Sequence, residues 1–166
     1  MAALPPAAHA ADGTINFQGS ISSQTCTVSA ASANLTVAMP QVSAGALSQA
    51  GATAGRTPFS ILLTGCNPAS GAVHTFFEAG DRTSADGHLS VTPGTGAALN
   101  VEIDLRNAVD GSEIAAGAAD ASQNSLPVNI NAGGSATLNY TAQYISTGIA
   151  TAGTANSTVQ YSIVYP

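Results

Sequence analysis

The chain has 166 residues, of which only 7% are charged, and its three arginines against nine acids leave a net charge of −6. The length suits one domain, and an acidic chain with no basic cluster excludes nucleic acid and anionic lipid surfaces as partners. At 45% hydrophobic residues the chain is too apolar for disorder. No apolar run approaches the ~20 residues of a spanning helix, so no membrane insertion is expected.

Residues 1–10, MAALPPAAHA, end in Ala8-His9-Ala10, a small-x-small pattern that suits signal-peptidase cleavage. They are expected to be the remnant of a signal peptide, with a mature chain starting at Ala11. Next comes Asp12 to Ile21, DGTINFQGSI. Ile15, Phe17, Gly19 and Ile21 fall on one face of an extended strand; Thr14, Asn16, Gln18 and Ser20 fall on the other. Residues 11–21 therefore form a candidate donor strand, ahead of a domain spanning 22–166.

Within that domain the first strand is expected over Ser22 to Val28, carrying Cys26, and a second over Asn34 to Met39, stopped by Pro40. Gln41 to Arg56 reads as a small-residue loop with one helical turn around Leu47. Thr57 to Cys66 alternates at Phe59, Ile61 and Leu63, with Pro58 at the strand start, where a missing N–H is tolerated. A turn follows, then a strand over Val73 to Glu78, a polar loop over Ala79 to Gly87 and a short strand over His88 to Val91. In Ala98 to Arg106 the pattern places Leu99, Val101, Ile103 and Leu105 inward and Asn100, Glu102, Asp104 and Arg106 outward. Asn107 to Asn124 reads as a loop with Ile114 as its one large apolar residue. Leu126 to Ile130 and Ala136 to Ile145 are strands separated by Gly133-Gly134, the second with Leu138, Tyr140, Ala142 and Tyr144 on one face. The last strand spans Asn156 to Pro166, alternating at Val159, Tyr161, Ile163 and Tyr165.

About eight short strands with recurrent turn signals and no sustained helical period predict an all-β sandwich. Two cysteines without metal-ligand spacing, in a chain of secreted character, read as one disulfide, with two buried thiols as the alternative. Closing a loop of that size stabilises a fold by about 4 kcal/mol. A strand at the very end leaves an edge open to strand addition, while the alternating segment at the start has no evident place in its own sandwich. A spare strand and an open edge in one chain predict head-to-tail, non-closing assembly, which makes a filament.

In these features the chain resembles the type 1 pilins of the bacterial chaperone–usher pathway. The resemblance rests on GTINFQGSISSQTC with Gly19 in mid-extension, on the spacing of Cys26 and Cys66, on Gly153 near the C-terminus, on NYTAQY (Asn139 to Tyr144) and on the penultimate Tyr165. It implies an incomplete immunoglobulin-like β-sandwich lacking its last strand and completed by a donor strand from a neighbouring subunit. It also implies a structural role in an adhesive fimbria, with related pilin subunits, a periplasmic chaperone and an outer-membrane usher as partners. The expected location is the cell-surface fimbrium, reached by secretion through the periplasm. Ile15, Phe17, Gly19 and Ile21 would enter the neighbour's groove; Gly153, Val159, Tyr161, Ile163 and Tyr165 would form the edge that receives a strand. Pro166 has no N–H to donate, so pairing with a chaperone would stop at Tyr165.

The small, alanine-rich, low-charge composition leans toward a major shaft subunit. The alternative is a secreted monomeric β-sandwich of lectin-like binding function, in which the first strand completes its own sheet. Enzyme chemistry finds no support: Ser84, Asp86 and His88 are close in sequence but lack a nucleophile elbow. Asp81 and Asp86 fall short of a calcium loop. His74 reads as a half-buried structural residue. No catalytic residue, metal site or cofactor is expected.

Overall fold

The computed structural model describes residues 14–166; the expected signal remnant and the start of the donor segment lie outside them. Among the described residues nine strands carry the fold: β1 (Thr25–Val28), β2 (Thr53–Asn67), β3 (Ala72–Phe77), β4 (Leu89–Ser90), β5 (Val101–Asn107), β6 (Glu113–Ile114), β7 (Val128–Asn129), β8 (Ala136–Ser146) and β9 (Tyr161–Val164). They form two antiparallel sheets. The larger runs β1-β2-β8-β5-β4, with β6 also on β5; the smaller runs β7-β3-β9. The expected all-β sandwich is therefore present.

The core lies between the sheets. Ile61 and Leu63 of β2, Val73 and Phe77 of β3, Ile103 and Leu105 of β5, and Leu138, Tyr140 and Ala142 of β8 are all buried in one cluster. Their two-residue spacing is the pleat of a strand with one inward face. Tyr140 anchors it, with the rings of Phe59 and Phe77 at centroid distances of 5.5 and 5.4 Å. The expected disulfide between Cys26 and Cys66 is formed and ties β1 to the end of β2.

Several expectations need correction. Asn34 to Met39 is not a strand. Its alternation survives, with Val37 and Met39 half-buried, but it has no ladder partner; period two marks extended backbone against a core, not pairing. A one-turn helix, α1 (Ala30–Ala33), instead carries the chain away from β1. Leu99 points outward at 62% exposure. Asn100 before β5 takes a left-handed φ of 58°, which breaks the alternation one residue ahead of the strand. Asp104 was expected in solvent but is fully buried, because Arg106 and Gln143 cover it. The expected loop from Asn107 to Asn124 holds β6 and a second short helix, α2 (Asp120–Gln123). Gln123 from α2 accepts from the Phe77 N–H and donates to the Phe77 carbonyl, acting as a one-residue strand partner at the end of β3.

Candidate functional site

β9 is bonded on one side only. His74 to Phe77 of β3 pair with Val164 to Tyr161 of β9, and among the described residues no strand lies on the other side of β9. β1 is likewise an edge, paired only with β2. These two edges belong to different sheets and face one another across a gap. Side chains bridge the gap, not a backbone ladder. The Cys26 N–H donates to the Tyr165 hydroxyl at 2.8 Å, and the Tyr161 hydroxyl donates to the Ser32 carbonyl at 2.9 Å.

The alternation from Val159 to Tyr165, through β9 and the residues flanking it, explains why the gap is apolar. Val159, Tyr161, Ile163 and Tyr165 all turn toward the core, yet each stays half-buried, while Gln160 and Ser162 between them are exposed. Cys26, Val28 and Met39 line the same margin, also half-buried. A sandwich normally covers such a row with another strand. Burial pushes the Tyr161 hydroxyl above its ordinary pKa, as a phenol held against apolar surface would be.

The N-terminal segment has the complementary property. Thr14 to Ser23 form no strand and are exposed throughout. Ile15 is 79% exposed, Phe17 91% and Ile21 102%. A Cβ at Gly19 would meet no atom. Among the described residues, the segment pairs with no strand of its own sandwich.

One expected edge residue sits elsewhere. Gly153 lies outside β9, in the loop before it, where Ala97 and Thr154 form a parallel bridge. A Cβ there would approach the Ala98 nitrogen to 2.4 Å. Its requirement for glycine is close backbone packing at one end of the sandwich, not strand acceptance. Of the histidines, His74 is buried against Asp120 at 2.8 Å. His88 sits in a carboxylate cluster assembled from separate strands, which sequence proximity did not reveal.

A two-sheet β-sandwich with an open strand edge beside a half-buried apolar row, preceded by an exposed alternating segment, is the fold of pilus subunits. The P pilus rod subunit PapA has the same fold at a TM-score of 0.62 and 19% identity, covering 85% of this chain and 99% of that one. The family model described as FimA, type-1 fimbrial protein, A, matches residues 39–166. The chain belongs to that family and is a fimbrial subunit. It is 47% identical to the F17 fimbrial protein of Escherichia coli, over 99% of this chain and 93% of the relative. It is 43% identical to the major fimbrial subunit SMF-1 of Stenotrophomonas maltophilia, over 99% of both.

Proposed function

We propose that this chain is a major shaft subunit that polymerises head-to-tail by donor-strand complementation. Residues 11–21 of one copy fill the β1–β9 gap of the next, and residues 22–166 form the domain that receives them. The observation that carries this reading is the pairing of two incomplete features: a β9 with one free edge, and an exposed segment whose alternation matches a strand with one apolar face. Backbone bonds to β9 give affinity; Ile15, Phe17 and Ile21 seated among Val159, Tyr161, Ile163 and Tyr165 set the register. Gly19 occupies the shallow point of the gap. The same edge accepts a strand from a periplasmic chaperone before assembly, and exchange occurs at an outer-membrane usher. The product is a fimbria on the cell surface with a structural rather than enzymatic role.

The test uses residues 22–166 held by the chaperone and a peptide of residues 12–21. The peptide should displace the chaperone and give a complex that survives detergent at room temperature. A peptide with Phe17→Ala and Ile21→Ala should not. If residues 22–166 prove stable alone and ignore the peptide, the reading is wrong.

A further inference from the structure

A second site lies at the other end of the large sheet from β1, where β4, β5 and β6 meet. The register pairs Leu89 with Ile103 and Ser90 with Glu102, which sets His88 beside Asp104. Arg106 pairs with Glu113 across β5 and β6. Donor atoms of His88, Asp104 and Glu113 all lie within 4.8 Å of one another.

The hydrogen bonding around these groups is incomplete in a particular way. His88 Nδ1 is 3.2 Å from Glu102 Oε2, and His88 Nε2 is 3.1 Å from Glu113 Oε1. Both ring nitrogens of His88 thus face carboxylate oxygens, and a neutral imidazole has an N–H for only one of them. Asp104 is fully buried. Its Oδ2 accepts from Arg106 Nε at 2.6 Å and Gln143 Nε2 at 2.8 Å. Its Oδ1 is buried with no hydrogen-bond partner, a condition that ordinarily destabilises a fold.

We propose that His88 Nε2, Asp104 Oδ1 and Glu113 Oε1 form a site for a divalent transition-metal cation of the zinc type. A cation there takes up the orphaned carboxylate oxygen and an imidazole lone pair together. Glu102 then accepts from Nδ1–H and fixes the ring, the arrangement that orients metal-bound histidines. Arg106 leaves the ligand atoms free, since it contacts Asp104 Oδ2 and Glu113 Oε2. Three carboxylates against one arginine leave two negative charges, matching a divalent ion. One imidazole nitrogen with carboxylate oxygens suits zinc, whose bonds of ~2.0–2.2 Å place neighbouring ligand atoms roughly 3–3.5 Å apart. No short motif marks this site, because its ligands come from β5, β6 and the residue just before β4.

The test is equilibrium dialysis of chelator-treated, assembled fimbriae of the full chain against Zn2+, repeated with Co2+ for its visible absorption. The expected result is saturable binding of one ion per subunit. Glu113→Gln and His88→Gln should each weaken it at least tenfold and remove the Co2+ band, while His74→Gln should change neither. Glu102→Gln should weaken binding about tenfold with the stoichiometry kept. Glu113 is half-exposed, so its variant is expected to fold even if one at buried Asp104 does not. No saturable binding, or binding unchanged in Glu113→Gln and His88→Gln, would overturn the proposal.

Discussion

Phe17→Ala probes the donor segment where the structure allows the effect to be sized. In the free segment Phe17 is 91% exposed, so nearly its whole side chain is available for burial in a neighbour's gap. Full burial of a phenylalanine stabilises by about 1.5–3 kcal/mol. Taking about 3 kcal/mol, and tenfold per 1.4 kcal/mol, its loss should speed subunit dissociation on the order of 100-fold. The assay follows purified fimbriae in denaturant at fixed temperature and reads the half-life of multimer bands on an unboiled denaturing gel. Gln18→Ala is the control: Gln18 belongs to the opposite phase of the alternation, would face away from the gap in a docked strand, and should change the half-life by less than about threefold. Equal half-lives for Phe17→Ala and the unaltered chain would refute the reasoning. So would a larger effect from Gln18→Ala, which would mean the opposite face enters the gap.

Cys26→Ser should lower stability by about 4 kcal/mol, since the disulfide closes a separation of 40 residues; chaperone-bound subunit yield and thermal unfolding report it. Gly153→Ala should destabilise by about 1–3 kcal/mol, because the added carbon meets the Ala97–Ala98 backbone, which cannot rotate aside; calorimetry of assembled fimbriae checks it. The Asp110 carboxyl is held below its ordinary pKa by the Ser112 N–H and then by the Ser112 hydroxyl. A depressed folded-state value means this local stabilisation is complete above the ordinary carboxylate range and is lost as pH falls through the depressed value. NMR titration should place Asp110 below about 3.9, and Ser112→Ala should move it part of the way back.

The strand pattern was legible where apolar residues alternate over a buried face. Phe59 to Leu63, Val101 to Leu105 and Leu138 to Tyr144 lie where their periodicity puts them, because a single buried face imposes period two directly. The alternation could not distinguish pairing from mere extension, so Asn34 to Met39 read as a strand. It could not register a left-handed residue such as Asn100, which reverses Leu99. Composition hid Gln123, whose amide replaces a strand partner, and Asp104, whose burial depends on Arg106 and on Gln143 from a neighbouring strand. Gly153, expected on the last strand, lies in the loop before it, since a need for close approach does not say which backbone approaches.

Polymerisation of the proposed kind requires residues 11–21 to act in a neighbour rather than in their own sandwich. The most direct measurement expresses the chain with and without Ala11 to Ile21 alongside its assembly proteins, then runs unboiled samples on a denaturing gel. A ladder of multimers from the full chain, absent from the truncated one, is the predicted result. Monomer from both, with the truncated chain merely less stable, would contradict the account and assign the segment to its own fold.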